Sequence, residues 1–321
     1  MRALPLDLTL TTATMSVTLS VPYSGVWPAL LTPLDAQLNI DIPTFARHAC
    51  KLLEAGCTGV TPFGTTGEGP SFTVAERRAA VDGLIAGGVA AGRILVSTSC
   101  SALPDVVALT RHAVEVGTFG CLMLPPFFLK GVPDPGVIDA YRWVIDQVDD
   151  PRLRIMLYHI PQVSGVGLSH HVVQTLKGLY PATIMGIKDS GCKREDSLAY
   201  ARAFMPPMQV WVGNEPDLQV MAAQGTRGAV SGVANVLPRR VARMVAQPEG
   251  PQANADLQRV KAFIDLLGGY GMTAAFKGTL SILSNVAGWR RVRPPLVALS
   301  DAEFDTLRAQ LQAFAVDPAT D

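Results

Sequence analysis

One pattern recurs eight times along this chain: a short apolar run, a loop rich in Gly, Pro or Ser, then a longer stretch with helical periodicity. Strand and helix in strict alternation predict a parallel sheet whose helices cover it. The expected strands lie near 26–32, 59–62, 94–98, 120–124, 154–158, 183–188, 209–212 and 228–231. The expected helices span 41–55, 73–91, 104–117, 135–148, 168–179, 194–204, 215–224 and 238–246. Gly56, Gly92 and Gly117 stand where helices should stop, and Pro104 suits a first helical turn. Eight such units are the count that closes a (β/α)8 TIM barrel, and 321 residues accommodate one with helices to spare. A doubly wound open sheet is the competing fold, but no GxGxxG follows the first strand.

Two further apolar helical segments, about 255–286 and 301–315, remain after the eighth unit. The expected organisation is therefore an N-terminal extension over 1–22, a barrel over 23–246 and a C-terminal helical appendage over 247–321, the last set off by the loop Gln247 to Pro251. Lys and Arg number 27, as do Asp and Glu, so the net charge is zero and no electrostatic attraction to nucleic acid or to an anionic membrane is expected. A small molecule is the expected partner. Five scattered cysteines without a CxxC pair do not resemble a secreted disulfide framework, and no apolar run approaches the ~20 residues of a bilayer span. The expected location is the cytoplasm.

Barrel enzymes carry their chemistry at the C-terminal ends of the strands, so the unusual residues there form the candidate list. Lys188 closes the run Ile184 to Lys188, at the mouth of an otherwise apolar strand. An amine placed where desolvation disfavours its charged form can add to a carbonyl, the requirement for Schiff-base catalysis. The alternative is a lysine that snorkels to solvent or pairs with Asp189. Tyr158 ends the neighbouring strand, and its phenol can both donate and accept a proton beside an imine; otherwise it is a core tyrosine satisfied by backbone.

Gly64 and Gly67 bracket Thr65 and Thr66, whose amide and hydroxyl donors suit a carboxylate, unless the segment is only a turn. Glu68 then serves as a cap or loop staple. Gly213, Asn214, Glu215 and Ser231 follow strands seven and eight and are candidates for holding a substrate's tail, although Asn-Glu-Pro is also an ordinary capping sequence. His170 and His171 are adjacent on a helix and cannot face one metal, and no HxH or HExxH occurs, so no metal is expected.

Ala29 to Pro33 (ALLTP), Gly64 to Glu68 (GTTGE), Tyr158 to Pro161 (YHIP), Gly186 to Ser190 (GIKDS) and Arg291 to Leu296 (RVRPPL), in this order, resemble the superfamily of dihydrodipicolinate synthase and N-acetylneuraminate lyase. The resemblance runs from about Trp27 to Leu299. It implies a class I aldolase or lyase acting on pyruvate or a similar 2-oxo acid, with Lys188 as the imine former, Tyr158 as the proton carrier, and Thr65 and Thr66 around the substrate carboxylate. Thr66 is counted with Lys188 and Tyr158 as catalytic. It also implies no cofactor beyond the covalent imine, and a homotetramer or homodimer.

Two departures stand out. Where the synthases carry an arginine five residues after the tyrosine for a second carboxylate, this chain has Val163, which speaks against a true dihydrodipicolinate synthase. Where the strand-four loop usually supplies a tyrosine to the neighbouring subunit's site, this chain has Phe127 and Phe128. His159 replaces the commoner asparagine beside the tyrosine and is expected to orient a loop. Two alternatives share these residues: a dehydratase of a deoxy 2-oxo sugar acid that uses the same lysine, and a barrel that binds oxo acids without turnover.

Overall fold

The strands that alternation predicts are present, and they read as near-continuous apolar runs because both of their faces are buried. A computed structural model of the protein describes residues 23–321. The expected N-terminal extension lies outside the described residues. In chain order the elements are β1 Gly25–Leu30, α1 Ile42–Glu54, β2 Thr61–Pro62, α2 Val74–Ala86, β3 Leu95–Ser97, α3 Leu103–Glu115, β4 Gly120–Met123 and α4 Asp134–Val148. They continue with β5 Ile155–His159, a single turn α5 Pro161–Ser164, α6 His170–Leu179, β6 Ile184–Asp189, α7 Arg194–Phe204, β7 Gln209–Val212, α8 Leu218–Ala223, β8 Gly228–Ser231 and α9 Pro238–Ala246. The appendage comprises α10 Ala253–Leu267, α11 Met272–Ser284 and α12 Asp301–Phe314.

The sheet runs β2-β1-β8-β7-β6-β5-β4-β3, all parallel. Its two ends meet through Val60, whose N–H donates to Arg93 O at 2.8 Å and whose carbonyl accepts from Leu95 N at 2.9 Å. The ring is thereby closed as a (β/α)8 barrel. Side chains alternate across it. Trp27, Met156, Tyr158 and Trp211 point inward with Leu95 and Leu122, while Val26, Leu157, Ile187 and Val210 point out against helix residues such as Phe45, Val81, Val144 and Val172. Trp27 packs against Phe119 and Trp211 with tilted rings, their centroids 4.5 and 5.7 Å away, and this aromatic cluster fills the barrel interior below the C-terminal strand ends.

Polar residues start the helices where the sequence has them. Thr73 and Ser300 each form a reciprocal capping box, with Glu76 and Glu303, and the Asp41 and Ser169 side chains accept from Thr44 N and Val172 N. Two segments differ from the sequence expectation by more than three residues. The helix expected over 73–91 stops at Ala86, because Gly87 caps it and Gly88 turns left-handed (φ +100°). The apolar segment expected over 255–286 is two helices, broken by Gly268-Gly269-Tyr270-Gly271, and this corner delivers α11 to the barrel mouth. Asp256, buried on α10, accepts from Arg240 and Arg243 of α9, and Asp321 accepts from Arg240 and from Arg259 of α10, so the appendage is fixed to the last barrel helix.

Candidate active site

Strand register brings the chemistry together. Tyr158 on β5 pairs with Lys188 on β6, and Lys188 pairs with Trp211 on β7. Since both side chains fall on the inward parity, the Lys188 Nζ lies over the Tyr158 ring, 4.1 Å from its centroid. Lys188 is only 4% exposed, so it does not snorkel. Nor does it pair with Asp189, whose carboxylate accepts instead from Gly191 N (2.8 Å) and from the Ser197 hydroxyl. Gly213 leaves the lysine its space: a Cβ there would meet Ser190 Oγ at 1.8 Å and Lys188 Cε at 3.0 Å.

The Tyr158 hydroxyl is not satisfied by backbone; it meets Thr65 Oγ1 at 3.2 Å. Thr65 and Thr66 sit in the loop after β2, held by Glu68 N donating to Thr65 O (3.2 Å) and by the Thr32 hydroxyl donating to Gly67 O (2.8 Å). Among the described residues no acceptor takes the amide N–H groups of Thr65 and Thr66. Free amides beside a hydroxyl form a concavity suited to a carboxylate. Gly67 is needed for the tight path, since a Cβ there would stand 2.5 Å from Leu30 O.

These groups line a cavity of about 490 Å³ at the C-terminal ends of the strands. Lys188, Tyr158, Thr65, Thr66, Gly213, Asn214, Glu215 and Val163 all reach it. Gly64 and Ser231 do not: Gly64 only begins the turn, and Ser231 lies behind Glu215, donating to its carboxylate at 2.6 Å. Phe128 stands outside the cavity, 75% exposed on the loop after β4. A somewhat larger hollow, about 600 Å³, opens at the opposite end of the barrel around Gly25, Thr58 and Arg227, away from Lys188 and Tyr158.

His159 turns away from the cavity. Its Nδ1 accepts from Leu168 N at 3.0 Å, and burial pulls its pKa down although Asp189 opposes this, so the ring is a neutral anchor for the segment after α5. No group of three His, Cys, Asp or Glu side chains among the described residues is arranged to hold a metal ion.

Sequence reasoning missed two parts of the site. The first is Lys277 of α11, whose ammonium donates to Glu68 at 2.6 Å behind the Thr65-Thr66 loop. The second is the cavity's outer wall, built from Ile264, Leu267, Met272 and Phe276 of the appendage. Helical periodicity marks those residues as apolar, but nothing local says that their helices cross the barrel mouth.

Comparison with known proteins places the chain in a family. The model of the dihydrodipicolinate synthetase family matches residues 22–314. An uncharacterized DapA-like lyase of Chloroflexus aurantiacus is 31% identical over 290 residues, which is 89% of this chain and 95% of that protein. The crystal structure of dihydrodipicolinate synthase from Agrobacterium tumefaciens superposes with a TM-score of 0.82 at 30% identity, covering 91% of this chain and 99% of that one. A prophage protein of the same family from E. coli K12, solved in complex with pyruvate, shares the fold with a TM-score of 0.81 at 22% identity, covering 92% and 99%.

Proposed function

The chain belongs to the dihydrodipicolinate synthetase family and is a lyase of the class I aldolase type, and on that premise we propose that it makes or breaks a carbon–carbon bond next to pyruvate or a similar 2-oxo acid through an imine at Lys188. The observation that carries this reading is the buried amine of Lys188, 4.1 Å from the Tyr158 ring in a cavity that also holds Thr65 and Thr66.

In this mechanism the oxo acid's carboxylate rests on the Thr65 and Thr66 donors, which presents its C2 carbonyl to Lys188. The amine adds to C2, the carbinolamine loses water, and the resulting imine draws electrons from C3. Tyr158 accepts and returns the protons that move in these steps, its hydroxyl oriented by Thr65. Loss of a C3 proton gives an enamine, whose C3 attacks an aldehyde carbon; the carbonyl oxygen takes up a proton, and water releases the product from Lys188. Cleavage is the same sequence reversed. No redox partner or cofactor enters this balance.

Val163 supports a reading other than dihydrodipicolinate formation, because a valine offers no donor to the second carboxylate that reaction needs. The exposed Phe128 and Leu129 supply an apolar surface for a homo-oligomeric contact at the loop after β4, and five free cysteines suit a reducing compartment such as the cytoplasm. Reduction with borohydride in the presence of pyruvate tests the proposal. The wild-type protein should gain a covalent adduct and Lys188→Ala should not; an equal adduct in the variant would refute it.

A further inference from the structure

The cavity is chemically two-sided. Lys188, Tyr158, Thr65 and Thr66 supply its inner half, whereas Val163, Ile264, Leu267, Met272 and Phe276 wall the outer half. Val163 and Met272 are 55% and 53% exposed, so this part of the wall is wet apolar surface until something covers it.

Four polar side chains of the outer half each make at least one bond within the protein. Asn214 Nδ2 donates to Asp217 at 2.7 Å, and Glu215 accepts from the Ser231 hydroxyl at 2.6 Å and from Val233 N at 3.2 Å. Gln162 Nε2 donates to Ser190 O at 2.6 Å, and the Tyr270 hydroxyl to Gln310 at 2.9 Å. Cys192 adds little polarity, since burial and the nearby carboxylates of Asp189, Glu215 and Asp217 push its thiol up and keep it protonated. A polyhydroxylated tail would have to compete with these bonds for the same groups, while Val163, Leu267, Met272 and Phe276 offer it no partner.

Charge points the same way. Among the described residues Lys188 is the one basic side chain lining the cavity, and its nitrogen is neutral once the imine has become the enamine; Glu215 is the one carboxylate. Arg194, on the adjacent helix, does not line the cavity and is paired with Asp217 at 2.7 Å. A substrate tail carrying a second carboxylate would therefore face Glu215 with no counter-charge. A three-carbon oxo acid also leaves most of the roughly 490 Å³ unfilled.

We infer that the second substrate is an uncharged aldehyde bearing an apolar group of about aromatic-ring size, which the wall of Val163, Leu267, Met272 and Phe276 covers. This rests on the imine reading. In the synthetic direction C3 of the pyruvate enamine bonds to the aldehyde carbon, the carbonyl π pair becomes a hydroxyl by taking a proton from Tyr158, and hydrolysis frees a 4-hydroxy-2-oxo acid. That proton is the one Tyr158 took from the pyruvate methyl when the enamine formed.

The test gives the wild-type protein pyruvate and, in turn, benzaldehyde, glyceraldehyde or succinic semialdehyde, with borohydride trapping of pyruvate alone as the first arm. Benzaldehyde should exceed succinic semialdehyde in kcat/KM by about 10²-fold or more and glyceraldehyde by about 10-fold, the scale set by unpaired polar groups and by hydrophobic contact in a pocket. Met272→Gln, at an exposed position that tolerates a polar side chain, should raise the KM for benzaldehyde by about 5-fold with a smaller change in kcat. Val163→Arg should raise kcat/KM for succinic semialdehyde by about 10-fold or more. Trapping of pyruvate with benzaldehyde used no better than the polar aldehydes would overturn this inference and leave the imine intact. Absence of trapping would instead bring down the imine reading beneath it.

Discussion

The carboxylate of Glu68 and the ammonium of Lys277 meet at 2.6 Å with both side chains fully buried, although 209 positions separate them in the chain. Glu68 also accepts from Arg293 N at 3.1 Å, and it stands in the left-handed region (φ 58°) at the end of the loop that carries Thr65 and Thr66. Burial draws the Lys277 pKa down, and the Glu68 charge opposes this. The appendage thus holds the carboxylate-binding loop from behind.

Removing one member of that pair leaves the other charge buried alone. Lys277→Met should cost about 3–5 kcal/mol and raise the KM for pyruvate, while Glu68→Gln added to Lys277→Met should recover much of the stability. Urea unfolding midpoints of the single and double variants check this. A double variant no more stable than Lys277→Met would mean that the pair is not what the loop depends on.

Tyr158→Phe keeps the ring beneath Lys188 and removes the hydroxyl that meets Thr65. Turnover should fall by about 10²–10⁴-fold, the usual cost of one positioned acid–base group, with imine formation slowed and still detectable by trapping. Steady-state rates beside trapping yields separate the two effects. Unchanged turnover would remove Tyr158 from the proton path.

The parts of this site legible in the sequence are those set by one strand's parity. Lys188 and Tyr158 each end an apolar run, and inward alternation from Ile187 and Leu157 is enough to aim both at the barrel axis. Thr65 and Thr66 were legible because glycines bracket them. What was not legible depends on contacts distant in sequence: Lys277 looks like an ordinary helix residue until α11 lies against the GTTGE loop. Asn214 and Glu215 read either as tail-binding groups or as a capping sequence; the Asn214–Asp217 contact is local and belongs to the second reading, whereas the Ser231–Glu215 contact spans two strand ends and is not written locally. Gly92 was read as a helix end, a role that Gly87 and Gly88 already fill.

Acid should destabilise the protein in two separable windows. Burial against α1's surroundings lowers the His48 pKa from 6.5 to about 4 while its ring meets Asn235 Oδ1 at 3.1 Å, so the unfolded chain takes up this proton first. Its contribution is complete above about pH 6.5 and is lost as the pH falls toward 4, on the order of 1–2 kcal/mol for a partly exposed ring. Glu76, held at about 2 chiefly by Arg293, loses its contribution only below its ordinary 4.5. His48→Gln should flatten the stability profile in the upper window alone, as read from urea midpoints across pH. An unaltered profile there would contradict the assignment.

Phe128 fills, in this chain, the place where relatives were expected to carry a tyrosine, and its exposed ring offers no hydroxyl. If assembly carries this loop to a neighbouring protomer's cavity, Phe128→Tyr should raise turnover of acceptors lacking a hydroxyl by about 10-fold or more, with little change in pyruvate trapping. Kinetics paired with the assembly state in solution check it. A fall in turnover in the intact assembly would show that the ring serves packing.

Everything chemical here depends on one bond between Lys188 and a 2-oxo acid, so the decisive measurement maps that bond. The wild-type protein is reduced with borohydride in the presence of pyruvate, digested, and each lysine peptide is read by mass. The adduct should lie on Lys188 alone, with Lys277 unmodified behind Glu68 despite its burial and lowered pKa. An adduct on Lys277 or spread over surface lysines, with Lys188 unmodified, would contradict the account.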